Sequence, residues 1–200
     1  MPRLYLSIHL AELDPGHGVD LPTGPSVALA HAGSLTLNGA ALDPAGFAMD
    51  GRLQGRGVAI AFTLTPGPCG ARSEAVEVEF PCLIRLDEVA FPPGAVAYRH
   101  VHAGPGFRHL RWGVLHLDAG DHQFDAEAGV TWFEAAHSPV QATASPDHQE
   151  TRFVRCMILP LDYQGRPTIR FLDPQDAERP RLQVTHRHVD QLLLGHGEAG

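Results

Sequence analysis

Lysine is missing from this 200-residue chain, so all 15 of its basic side chains are arginines. They are outnumbered by 23 acidic side chains, and the formal charge of −8 excludes general affinity for nucleic acid or anionic membranes. Cysteine is scarce as well. Cys69, Cys82 and Cys156 form an odd set without a CxxC pair, which argues against a disulfide framework and for a reducing compartment. Each is expected to fill a core as a small hydrophobe. No apolar run approaches the roughly 20 residues that span a bilayer, and the opening MPRLYLSIHLAELDPG acquires charge too early for a secretory signal. A soluble, cytoplasmic protein is expected. Helical periodicity is almost absent too, and one short helix is expected, around VDQLLLG (189–195).

What is present is β pattern. Hydrophobic residues make up 44% of the chain and charged residues 19%, the balance of a folded domain. Gly and Pro, at 21 and 17, are abundant without a collagen-like period, so many turns join short elements. Alternating or continuous apolar runs recur at 4–10, 26–39, 57–66, 82–91, 107–120 and 151–160. Short strands at this spacing indicate a sandwich or barrel.

The chain also overlays on itself. VALAHAGSLTLNGAAL (27–42) lies over FRHLRWGVLHLDAGDH (107–122) with Gly33 on Gly113, and GVAIAFTLTP (57–66) lies over TRFVRCMILP (151–160). Each half runs strand, Gly turn, strand, polar loop, final strand, Pro. The Pro- and Gly-rich TPGPCGARSE (65–74) reads as the linker. The expected organisation is an N-terminal half over 1–70 and a C-terminal barrel over 76–200.

The chemistry concentrates in AYRHVHAGPGFRH (97–109). Residues i and i+2 of a strand point to one face, so His100 and His102 present two imidazoles side by side, suited to two cis ligands of one metal, with Tyr98 on the same face. As an isolated motif, HxH also describes a solvated strand face.

The stretch PPGAVAYRHVHAGPGFRHLRWG resembles the first motif of the cupin superfamily. Gly94, His100, His102 and Gly113 fall at the family spacing, with Gly106 in the slot of the family's Glu. GDHQFDAEAGVTWFEAAHSPV (120–140) resembles the second motif more loosely, and Trp132 stands where that family has its third His. The phrases HxHxGPG, GxxWFE and FVRxMxLP also resemble a group of poorly characterised bacterial cupin-domain proteins. The resemblance implies an all-β, jelly-roll double-stranded β-helix barrel, here in two barrel-like halves, whose interior holds a metal or small ligand. The first half has LPTGPS where the histidine pair would stand, so it is expected to be degenerate and structural, covering sheet edges or forming the subunit contact of a homodimer.

The family's metal has three His and one Glu, whereas two His are in register here. Side-chain parity places Glu134 on the face of Trp132, where it would complete a two-His, one-carboxylate set holding Fe, Mn, Ni or Zn. His137 is the other candidate for third ligand. Arg108, Leu110 and Trp112 are expected to face inward, and His109 and Arg111 outward. An inward Arg108 needs an anion: either Glu134, in a structural pair, or the carboxylate of a substrate that it orients. Trp132, Trp112 and Phe107 would wall a pocket for a small carboxylate or phenolic compound.

The other histidines, among them His9, His31, His186 and His188, are expected to be mostly solvated. The sequence has no GxSxG elbow, P-loop or dinucleotide fingerprint. Two functions follow. One is a metal-dependent enzyme of oxygenase or isomerase type, with His100, His102 and Glu134 on the metal and Arg108 and Glu134 as catalytic groups. The other is a metal-free barrel that binds or senses a small molecule.

Overall fold

The computed structural model describes residues 2–120 and 122–195. Seven strands occupy the N-terminal part: β1 (Arg3–Leu13), β2 (Gly18–Asp20), β3 (Pro25–Leu37), β4 (Ala40–Ala41), β5 (Ala45–Met49), β6 (Arg52–Thr65) and β7 (Arg72–Glu77). They form one antiparallel sheet along the path β4-β3-β6-β1-β7, with β2 on β6 and β5 on β3. Alternation along β1, β3 and β6 sends Ala11, Leu13, Ala28, Leu35, Leu53 and Ala61 into one core.

The C-terminal part has β8 (Cys82–Phe91), β9 (Val96–His102), β10 (Gly106–Trp112), β11 (Val114–Asp118), β12 (Gln123–Glu127), β13 (Thr131–Glu134), β14 (Val140–Ala144), β15 (Thr151–Pro160), β16 (Ile169–Phe171) and β17 (Val184–Leu193). These build two five-stranded sheets, β13-β10-β15-β8-β17 and β12-β11-β14-β9-β16. Two short 3₁₀ turns, Leu161–Tyr163 and Pro174–Ala177, supply the helix. The chain divides into two compact units, one running to Arg85 and resuming at His188, the other Leu86–Arg187. In the second unit both sheets contribute to a core of Val89, Phe91, Ala97, Leu110, Leu115, Trp132, Val140 and Phe153. Among the described residues no helix is long and apolar enough to cross a membrane.

The overlay read from the sequence recurs in the ladders. Val27 pairs with Phe62 and Phe107 with Cys156, and Ala30 pairs with Ala59 as Leu110 does with Phe153. The register then slips between Ala30 and Ala32 in one half and between Leu110 and Trp112 in the other, which are overlaid positions. Gly33 and Gly113 follow the slips with φ of +84° and +80°, a left-handed backbone that glycine adopts without strain. The expected strand 107–120 is therefore two strands, broken at Gly113.

Two further expectations are corrected. Residues 189–195 are not a helix: most of them belong to β17, which pairs with β8. Seven residues are too few to sustain a helix alone, and the ladder satisfies the same backbone groups. Trp112 does not face the interior either; the slip after Leu110 turns it outward, to 41% exposure, where Arg111 stacks on its ring at 4.1 Å. His109 and Arg111, expected to point outward from the barrel, are nonetheless buried: His109 bonds Thr131 and Arg111 pairs with Glu88. Both faces of β10 are covered.

Candidate functional site

A bulge on β9 aims the two histidines. Val140 pairs with His100 and Ala142 with Ala97, so β9 spends three residues where β14 spends two. Val140 and Ala142 share the core face, hence so do Ala97 and His100, and His102 follows His100 by alternation. The bulge takes Tyr98 off that face, contrary to simple parity, and its ring lies beneath Arg179 at 4.7 Å.

Both imidazoles are buried, at 4% and 5% exposure. His100 Nδ1 lies 2.6 Å from the Tyr98 carbonyl, and His102 Nδ1 3.1 Å from the hydroxyl of Thr168, the buried residue just before β16. Their Nε2 atoms face each other at 3.2 Å. A carbonyl can only accept, so His100 carries its proton on Nδ1 and presents a lone pair at Nε2. Thr168 both donates and accepts, so His102 has two tautomers. When Thr168 donates, His102 Nε2–H bonds His100 Nε2; when Thr168 accepts, both Nε2 lone pairs converge on one point. Burial pushes both imidazoles below their ordinary pKa. For His100, Tyr98 and the Glu134 charge oppose that shift, while Arg155 and Arg108 assist it. For His102 the two arginines and His100 all push the same way. The pair is neutral at pH 7, and both Nε2 lone pairs are available in the tautomer in which Thr168 accepts.

The ladders place Arg108 beside Trp132 and Arg155, and Gly106 beside Glu134 and Met157, all on one face. At one end of that face Leu110, Trp132 and Phe153 join the core. At the other, Arg108 meets Glu134 at 2.8 Å and Arg155 meets Asp87 at 2.9 Å. Glu134 also accepts from Trp132 Nε1 at 2.9 Å, and Arg108 Nη1 donates to the Gly106 carbonyl at 2.6 Å. The Arg108–Glu134 contact is an ion pair without hydrogen-bond alignment, so Arg108 Nη2 and Glu134 Oε2 are buried with no hydrogen-bond partner among the described residues. Burial pulls the Arg108 guanidinium down to about 10, against the opposing pull of Glu134, so it stays charged. The inward arginine is thus paired with Glu134.

His137, the other candidate for third ligand, is exposed at φ +62° and meets β9 through its backbone, His137 N donating to His102 O at 2.9 Å. Phe107 lies on the opposite face of β10, edge-on to Phe133. For a divalent ion, then, two cis imidazoles fit. Among the described residues no group of three or more His, Cys, Asp or Glu side chains is gathered as a ligand set, and Glu134 is held by Trp132 and Arg108. Thr168, 66 positions from His102, carried no sequence signal.

Gly106, which stands in the Glu slot of the motif the sequence resembles, is closely packed. A Cβ built there would overlap the Cys156 carbonyl and press on Met157 Cγ at 2.9 Å, so β15 leaves no room for a side chain. Gly106→Ala is expected to cost about 3 kcal/mol, the upper range for overpacking. That lowers Tm by roughly 6–12 °C in a chain of this size; an unchanged melting curve would show that β15 yields.

No family model and no curated protein sequence matches the chain. Solved structures do. A cupin 2 conserved barrel domain protein from Leptotrichia buccalis superposes with a TM-score of 0.51 at 12% identity, over 79% of this chain and 85% of that one. AerE from Microcystis aeruginosa superposes with a TM-score of 0.54 at 12% identity, over 80% and 88%.

Proposed function

We propose that this chain, a cupin barrel by fold, binds a divalent metal ion through Nε2 of His100 and Nε2 of His102. One observation carries the reading: two buried, neutral imidazoles, each anchored through Nδ1, bring their Nε2 atoms to 3.2 Å. Metal–nitrogen bonds of about 2.0–2.1 Å put cis donors at about that separation. Fe, Mn, Ni and Zn all accept imidazole. The ion would supply Lewis acidity toward an oxygen of a small carboxylate or phenolic ligand.

The chain's own residues do the rest. Leu110, Trp132 and Phe153 keep water from one end of the interior. Arg108 balances the Glu134 charge, and the unbonded Oε2 of Glu134 is the donor a cation would compete for against Arg108. The N-terminal half is read as a degenerate copy of the same barrel, a reading supported by the coinciding registers and slips.

The His102–His100 hydrogen bond favours a second reading, a metal-free barrel that binds a small molecule, because with Thr168 as donor the pair is satisfied without an ion. Titrating metal-free protein with Co²⁺, followed by its visible spectrum, separates the two. One equivalent should bind. The His100→Ala variant should abolish binding, and Thr168→Val should weaken it roughly 10–100-fold, the usual cost of losing a partner that orients a ligand. Absence of binding to the wild type supports the metal-free barrel.

A further inference from the structure

Of the three thiols, Cys82 and Cys156 match the expectation of buried hydrophobes, but Cys69 does not. It is only half-buried, and its surroundings are polar. The cause is the β1–β6–β7 register. Ser7 pairs with both Thr63 and Ser73, and Tyr5 with Thr65, so Ser7, His9, Thr63, Thr65 and Ser73 form a polar stripe on one face. The loop after β6 folds back over that stripe. Thr65 donates to Gly67 O at 2.7 Å, Ala71 N to Ile8 O at 2.9 Å, and Gly70 takes φ +77° where a side chain would strike Ile8 O and the His9 ring.

The sulfur thereby sits 3.3 Å from Ser7 Oγ, 3.4 Å from Thr65 Oγ1, 3.5 Å from Thr63 Oγ1 and 4.0 Å from His9 Nε2. Thr63 links the two chemically active groups, because its Oγ1 is also 2.9 Å from His9 Nε2. The hydroxyl protons can be placed. Ser73 gives its proton to the Cys69 carbonyl and Thr65 gives its own to Gly67. Ser7 therefore donates to Ser73 Oγ at 2.8 Å and accepts from the Cys69 thiol, which leaves Thr63 Oγ1 to donate to His9 Nε2 while facing the sulfur. Burial alone would raise the thiol's pKa, but its hydrogen bonds with Ser7, Thr65 and Thr63 outweigh burial and leave it below the ordinary value. Burial also holds His9 below its ordinary value, so it is a free base at pH 7. Cys82, by contrast, is pushed up to about 11, and Cys156 is raised further.

The geometry points to a second site, built wholly from residues 7–73: Cys69 is a nucleophilic thiol with His9 as its base through the Thr63 hydroxyl, and its substrates are small hydroperoxides. The thiol proton passes to Thr63 Oγ1 as Thr63 passes its own to His9 Nε2, leaving a thiolate and an imidazolium. The sulfur attacks the outer oxygen of the hydroperoxide. An S–O bond forms, the O–O bond breaks, and the departing alkoxide or hydroxide takes the proton back from His9 by the same route. Sulfur is oxidised to a sulfenic acid and the peroxide is reduced to an alcohol or water. Cys82 and Cys156 are buried, so the product waits for an external thiol.

The test uses the full chain with iodoacetamide, and with hydrogen peroxide trapped by dimedone, both read by peptide mass spectrometry. Cys69 should alkylate roughly tenfold faster than glutathione at pH 7 and carry the dimedone adduct, while Cys82 and Cys156 stay unmodified. Its rate–pH midpoint should lie below that of glutathione. His9→Gln and Thr63→Val should each slow the reaction roughly tenfold and raise that midpoint, an effect a purely structural role would not produce. If Thr63→Val does not fold, the wild-type profile beside that of His9→Gln decides. A Cys69 rate at or below that of glutathione, or adducts spread evenly over the three thiols, overturns the assignment.

Discussion

Replacing Arg108 by Ala is expected to lower the unfolding free energy by about 3–5 kcal/mol, the cost of stranding one partner of a buried ion pair. Arg108 is 1% exposed and its partner Glu134 13%, so the carboxylate left behind has neither water nor an opposite charge at 2.8 Å. Glu134→Ala should cost a similar amount by stranding the guanidinium. The double replacement Arg108→Met with Glu134→Met should recover most of the loss, since an apolar pair of similar volume avoids desolvating either charge. Urea denaturation followed by tryptophan emission reads all three, and Trp132, which donates to Glu134, lies beside the change. Equal losses in the single and double variants would mean that packing, not charge, sets the cost.

Acid should destabilise the protein below about pH 6.5, through the histidine pair. The folded-state pKa values of His100 and His102 are depressed by burial. Below 6.5 the unfolded chain therefore binds protons that the folded chain refuses. Since the slope of unfolding free energy with pH follows the excess of protons on the unfolded chain, stability is fully present above 6.5 and is lost as pH falls toward the folded values. Each histidine contributes at most about 1.4 kcal/mol per pH unit, and the pair about 2.7. Unfolding measured from pH 7.5 to 5 should show this fall in the wild type and a much shallower one in the variant carrying His100→Gln and His102→Gln. Parallel profiles would mean that the imidazoles are protonated as readily in the fold as outside it.

How much of this was legible in the sequence follows from the range of each interaction. Period-two alternation is local, so β1, β3, β6, β8 and β15 could be read directly. The overlay named no pairing partners, but the ladders respect it: Val27 with Phe62 and Phe107 with Cys156 stand at matched positions. Strand parity placed His100 beside His102 and Glu134 beside Trp132. Parity failed wherever a strand slips against its neighbour. The bulge on β9 removes Tyr98 from the histidine face, and the slip after Leu110 turns Trp112 to solvent. A bulge is a property of two strands, and one strand's pattern does not contain it. Thr168 and the hydroxyls around Cys69 escaped for the same reason, since they meet their partners across 66 and up to 62 positions. VDQLLLG was misread because β17 gains its stability from β8 and not from its own propensity.

The central claim is that the Nε2 atoms of His100 and His102 converge as one ligand-binding point. Long-range ¹H–¹⁵N correlation spectra of the histidine rings, recorded on metal-free protein and again with one equivalent of Zn²⁺, test it most directly. His100 should begin with its proton on Nδ1, and Zn²⁺ should shift Nε2 of both rings together while the other histidines stay put. Rings that are protonated at pH 7, or a His100–His102 pair untouched by the metal while exposed histidines respond, would contradict it.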